Sequence, residues 1–292
     1  MASPKHIENP FEFVIEKLGW AISDLGRAAL PNPTRHIGEA VPVVQKITAR
    51  DLWDALKKGA ADVGALRDDI LFIALIYPLA GLLLMRLAFS LDLLPLVFPL
   101  ASGFTLIGPV AAIGLYELSR RREQGDHVTW LDAFGAFRSP ALMSILGLGA
   151  ILLALFFVWL GVAYEIYLLN LGGGPAPPTI AAFEQSVFQT GGGWAMIAEG
   201  FGVGFLFAVA AFAISVVSFP LLLDRDVSMW TAIGTSLRAV RANPGVMLLW
   251  GAIVAGALAL GSLPALVGLI FVVPLLGHAT WHLYRKVIAP SA

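Results

Sequence analysis

Six apolar runs, each close to the length needed to cross a bilayer, constrain this chain more than any other feature. They occupy 70–90, 93–118, 141–169, 195–223, 245–262 and 264–284. A hydrocarbon core about 30 Å thick takes roughly 20 residues of helix. Within it every backbone amide must be bonded internally, so such runs are expected to cross as helices. The predicted fold class is all-α: a polytopic membrane helix bundle with six transmembrane helices. Composition agrees, with 58% of the 292 residues apolar, 13% charged and a mean hydropathy of +0.80. A soluble domain averages about 45–50% apolar and about 25% charged, so this excess calls for lipid as a second apolar solvent. Pro109 in the second run and Pro274 in the sixth predict helix kinks, which membrane helices tolerate.

Basic residues set the expected orientation, because Lys and Arg collect in loops that stay cytoplasmic. Of the 19 Lys and Arg residues, 18 fall on one side: before the first run, between the second and third, between the fourth and fifth, and after the sixth. Arg86 is the exception, near the far end of the first run, where a long side chain can snorkel to the interface. Both termini are therefore expected on the cytoplasmic side of a bacterial inner membrane. No signal peptide is expected, since Glu8, Glu12, Glu16 and Asp24 interrupt the first 30 residues.

The ends of the second and sixth runs overlay without gaps. Gly103, Pro109, Leu118 and Arg120 match Gly268, Pro274, Leu283 and Arg285 at a constant offset of 165, and the fourth run ends similarly at Leu223 and Arg225. Ahead of each pair of runs stands a Trp with an Ala close behind, at Trp53, Trp130 and Trp230. These stretches read as amphipathic helices at the cytoplasmic interface, where Trp prefers to sit. The pattern predicts three hairpins, each introduced by one interfacial helix, in repeat units at about 50–123, 128–227 and 228–288. All three enter from the same side, as parallel repeats do. Together they make a transmembrane domain over 46–288. Residues 1–45 form an N-terminal cytoplasmic segment, amphipathic through Phe11, Val14, Ile15, Leu18, Ile22 and Leu25.

Ionisable groups inside apolar runs are candidates for function, since each is costly in lipid. His278 and His282 lie four apart on one helix face, a spacing that suits a metal or haem but leaves the rest of the ligand set to be found. The plainer alternative is hydrogen bonding to neighbouring helices, and no metal or cofactor is expected. Under the overlay His282 occupies the place of Glu117, which predicts a Glu117–His282 pair. Glu165 and Glu199 lie near the opposite face, where Tyr164 and Tyr167 could join them in lining a vestibule. Small residues such as Gly200, Gly204, Gly251 and Gly256 point to close helix packing. With no cysteine, thiolate chemistry is excluded. Walker, dinucleotide and His-Glu-x-x-His motifs are absent. A net charge of −1 gives no case for nucleic acid.

Several stretches carry a resemblance. They are Tyr77-Pro78-Leu79-Ala80-Gly81-Leu82; Gly103-Phe104 through Gly108-Pro109; Gly114-Leu115-Tyr116-Glu117-Leu118-Ser119-Arg120-Arg121; and Ser218-Phe219-Pro220 running on to Asp224-Arg225-Asp226. With Gly277-His278 through Tyr284-Arg285, they are similar to a bacterial family of integral membrane proteins, domain of unknown function 2189. The resemblance covers roughly 45–288. Some members carry a cytochrome c oxidase label, but a haem–copper subunit needs about six His ligands over several spans, and only two of this chain's five histidines lie in its spans, both on one helix. Three functions follow as expectations. The first is a non-catalytic accessory, assembly or scaffold role, with membrane lipids and another membrane protein or complex as partners and a place beside a respiratory complex. The second is a transporter or channel for a small molecule or lipid. The third is haem or metal binding through His278 and His282.

Overall fold

The computed structural model describes residues 41–65, 86, 96–100, 108, 112–126, 128–172, 179–264 and 266–290. Among them the regular elements are helical. They are α1 (Ala49–Ala65), α2 (Ile113–Glu123), a 3-10 helix (Trp130–Arg138), α3 (Leu142–Leu171), α4 (Ile180–Phe188), α5 (Gly191–Ser215), α6 (Ser218–Asp224), α7 (Met229–Ala242), α8 (Pro244–Ser262) and α9 (Leu269–Val287).

Among the described residues, three helical stretches are long and apolar enough to cross a membrane: α3, the stacked pair α5 and α6, and α8. Each coincides with an expected run. The pair α5–α6 is broken by a turn at Val216 and Val217, where Ser236 Oγ of α7 accepts a hydrogen bond from the Val217 amide at 3.2 Å. Apart from Arg86, the first expected crossing (70–90) lies outside the described residues, as do Gly103, Pro109 and the segment 11–30. The sixth run appears as α9, which starts at Leu269, five residues later than expected, and holds Pro274 inside the helix. The loop expected between Asn170 and Trp194 also contains a helix, α4, capped by Thr179, whose hydroxyl accepts the Ala182 amide.

Helix α1 is built around one stripe. Leu52, Ala55, Gly59 and Asp62 recur at three- and four-residue spacing and are all buried. That stripe packs on α9, the most extensive helix pairing among the described elements. At the crossing Gly59 leaves no room for a side chain, since a Cβ there would lie 2.7 Å from the Ala279 backbone nitrogen. The chain ahead of α1 is fastened to the same block. Gln45 donates its amide to the Val287 carbonyl at 2.8 Å, and Val44 bridges Ile288. Asn243, between α7 and α8, accepts the Ile47 amide at 2.9 Å and donates to the Gln45 carbonyl at 3.0 Å.

The three helices expected at the interface begin alike, although not at their tryptophans. Thr48, Thr129 and Ser228 are the N-caps, each following an apolar residue (Ile47, Val128, Val227). Thr48 donates its amide and hydroxyl to Asp51, both at 2.8 Å, and Thr129 does the same to Asp132, at 2.8 and 2.9 Å. In the third, the Ser228 hydroxyl accepts the Thr231 amide at 3.1 Å. These bonds satisfy helix-start groups that have no partner within the helix. The repeated signal is thus Ile/Val, Ser/Thr, two residues, then Asp/Thr. The tryptophans stand at different distances from the cap, so their alignment gives the wrong register. The second of these helices is 3-10 rather than α.

Candidate functional site

Three helices bring five polar side chains together in the interior. Asp62 comes from α1, Ser119 and Arg122 from α2, and His278 and His282 from α9. Ser119 and Arg122 are three apart and the histidines four apart, so each helix presents its pair on one face. The Ser119 hydroxyl donates to Asp62 Oδ2 at 2.6 Å and meets His278 Nδ1 at 2.7 Å. His282 Nε2 is 2.8 Å from the same Asp62 oxygen. Arg122 Nη1 donates to Asp62 Oδ1 at 2.5 Å and to the Ala61 carbonyl at 2.9 Å.

Proton placement follows from counting hydrogens. A serine hydroxyl has one, and Ser119 gives it to the carboxylate, so His278 Nδ1 must carry the proton it donates to Ser119. An ionised Asp62 only accepts, so His282 Nε2 is also protonated. Burial pushes the Asp62 carboxyl up, but hydrogen bonds from His282 and Ser119 and the nearby charges of His282 and His278 hold it below the usual carboxylate range. The order of contacts also limits the chemistry. In a hydrolytic triad the imidazole lies between hydroxyl and carboxylate. Here the hydroxyl lies between the imidazole of His278 and the carboxylate, and it is buried. The arrangement joins three helices and does not prepare a nucleophile.

The expected Glu117–His282 pair does not form. Glu117 accepts from Arg120 at 2.8 and 2.9 Å and from Arg121 at 2.7 Å, while His282 turns to Asp62. Arginines one turn away on the same helix hold the carboxylate locally. Among the described residues no group of three or more His, Cys, Asp or Glu is arranged to hold a metal ion. Glu165 and Glu199 are both exposed, and Glu199 accepts from Asn170 Nδ2 at 2.8 Å, a bond that ties α3 to α5. Tyr164 and Tyr167 lie with ring centres 6.2 Å apart. Trp53 and Trp230 are exposed, and the Trp130 side chain lies outside the described ones.

A second polar joint lies at the end of α9. Tyr284 donates to Asp224 Oδ2 at 2.6 Å, Arg285 contacts Asp224 at 3.4 Å and Glu123 at 3.2 Å, and Trp281 Nε1 donates to Glu123 at 3.1 Å. In the overlay of run ends, Ser119, Asp224 and Tyr284 occupy one position, between the matched Leu and Arg. Each makes an interhelical hydrogen bond there. Residues 97–224 match a family model described as a predicted integral membrane protein (DUF2189). Over that stretch, less than half of the chain, the sequence is similar to the DUF2189 family. The matched residues include Glu117, Ser119 and Arg122, while Asp62, His278 and His282 lie outside. No curated protein and no solved structure matches the chain.

Sequence reasoning missed Asp62, Ser119 and Arg122. Asp62 lies ahead of the first apolar run, where the cost of a charge in lipid does not single it out. Its signal was present in the stripe 52, 55, 59, 62, where an acid continues an apolar face.

Proposed function

We propose that this chain is a non-catalytic accessory, assembly or scaffold protein of the bacterial inner membrane, seated beside a respiratory complex. In this reading it crosses six times as three hairpins, with both termini cytoplasmic. One observation carries the reading: Asp62, Ser119, His282 and Glu117 are bound to neighbouring protein groups, while α3, α5 and α8 leave broad apolar sides exposed. Polar groups used as helix joints support a rigid block, and exposed apolar helix sides suit contact with lipid or with other membrane helices.

Two measurements test it. The full chain, extracted in mild detergent, is expected to co-purify with a respiratory complex; recovery free of any such complex, with complex assembly unchanged in a deletion strain, overturns the accessory role. Topology is tested separately, helped by the absence of native cysteine. Glu199→Cys is expected to react with an impermeant maleimide in spheroplasts, and Arg241→Cys only after permeabilisation. The reverse pattern overturns the orientation.

A further inference from the structure

Amphipathic helices at a membrane surface ordinarily bury an apolar face in lipid. In α1 and α7 that face is already used. Leu52, Ala55 and Gly59 of α1 are buried, as are Met229, Ala232 and Ala239 of α7. What these helices turn outward is aromatic and basic. On α1, Arg50, Trp53 and Lys57 follow at three- and four-residue spacing and are all exposed, with Lys57 Nζ 5.4 Å from the Trp53 ring centre. On α7, Trp230, Arg238 and Arg241 are exposed, and eleven residues bring Arg241 back under Trp230 after three helical turns.

The acids of α1 are paired, Asp54 at the surface and Asp62 in the interior. Asp51 and Asp54 approach Lys286 at 3.2 and 3.6 Å, and Asp62 is held in the interior cluster. Helix α7 has no acid at all. The outward faces are therefore positive. Their position is fixed too. Asn243 ends α7, precedes α8, and holds Ile47 and Gln45 at the start of α1. The start of α1 and the end of α7 therefore lie together at the first turn of α8, a helix long and apolar enough to cross a membrane.

We infer that the outward faces of α1 and α7 form a binding surface for anionic phospholipid headgroups, with Arg50, Lys57, Arg238 and Arg241 contacting phosphate and Trp53 and Trp230 resting in the interface. Aromatic rings with one apolar body and one polar edge favour that depth. Each Lys or Arg near an anionic surface contributes about 1 kcal/mol, roughly a fivefold change in affinity. The inference rests on the proposed topology and not on the accessory role, so failure to co-purify with a complex leaves it standing.

The test uses the full chain in two formats. In vesicles containing phospholipids brominated near the headgroup end of the acyl chain, Trp53 and Trp230 are expected to be quenched, read as the difference between the parent and Trp53→Phe/Trp230→Phe. Absence of that quenching places the faces away from lipid and overturns the proposal, leaving a cytoplasmic protein as the occupant. In detergent, native mass spectrometry is expected to show preferential retention of phosphatidylglycerol over phosphatidylcholine. Arg238→Gln/Arg241→Gln is expected to reduce that preference at least fivefold at low salt. Equal retention of the two lipids by the parent, or an unchanged preference in a variant with the parent's melting temperature, overturns it. If that variant melts early, Arg50→Gln/Lys57→Gln on the other face decides by the same readout.

Discussion

Helices α8 and α9 are consecutive, both 19 residues long, and treated oppositely by the fold. Helix α8 buries three residues, Met247, Trp250 and Gly261. Helix α9 buries twelve, among them His278 and Tyr284. In water the more apolar helix would be the enclosed one. Lipid removes that drive, since hydrocarbon is as apolar as a leucine side chain. Leu248, Leu249 and Leu260 of α8 therefore stay exposed without penalty. The groups that need enclosure are polar ones, and α9 carries them. The contrast teaches that burial here follows hydrogen-bonding need rather than hydropathy.

The strongest way to break the contrast is to remove the acceptor that α9 is buried to reach. Asp62→Ala leaves Ser119, His282 and Arg122 without their shared partner, and loss of one member of a buried charged cluster costs about 3–5 kcal/mol. A clear fall in melting temperature in detergent is expected, with no comparable fall for Glu199→Gln at the exposed Asn170 contact. A parent-like melt would show that polar need does not hold α9 in place. Acid sharpens the same point. Because the folded Asp62 carboxyl titrates below its unfolded value, near 3.9, its contribution is complete above about pH 4 and is lost as pH falls through the folded value. The acid limb of a melting-temperature profile below pH 4 should be shallower in Asp62→Asn.

Packing distinguishes the pair next. Gly59→Ala puts a Cβ 2.7 Å from the Ala279 nitrogen and 2.9 Å from its Cα, both backbone atoms that cannot rotate away. Helices α1 and α9 must separate, at about 2–3 kcal/mol. Thermal unfolding in detergent reads this directly, and a neutral result would mean that the crossing is looser than it looks.

Much of this was legible before the fold was in hand, for a physical reason. Runs such as 141–169 and 245–262 are too long and apolar to be anything but helices suited to lipid, and they appear as α3 and α8. What was illegible depends on partners distant in sequence. Asp62 meets His282 across 220 positions, a separation no local pattern encodes. The overlay placed Glu117 and His282 at equivalent positions, but equivalence in a repeat does not imply contact, and Arg120 and Arg121 were nearer competitors. The tryptophans misled because they are conspicuous. The helix starts are fixed by caps instead, and Trp53, Trp130 and Trp230 follow Thr48, Thr129 and Ser228 by five, one and two positions.

Those caps give a smaller test of whether the three units are alike. Thr48→Ala, Thr129→Ala and Ser228→Ala each remove cap hydrogen bonds and should each lower stability by about 1 kcal/mol. Equal losses in thermal unfolding would support one motif used three times. A negligible loss at Ser228 alone would separate the third unit, whose Thr231 lacks the carboxylate that Asp51 and Asp132 offer.

The smallest effect closes the comparison by reversing its sign. Gly256 lies within α8, and a Cβ there would meet nothing within 4 Å. A methyl group at this place touches only what surrounds the helix. It also removes the extra backbone freedom of glycine in the unfolded chain, so Gly256→Ala should stabilise by up to about 1 kcal/mol. The chemical change is the same as at Gly59, and only the neighbour differs: protein backbone in one case, hydrocarbon in the other. A small rise in melting temperature for Gly256→Ala beside a large fall for Gly59→Ala is the expected pair. A loss at Gly256 would instead mean that another helix, from this chain or a partner, is packed against α8, and the exposed face would then be an interface rather than a surface for lipid.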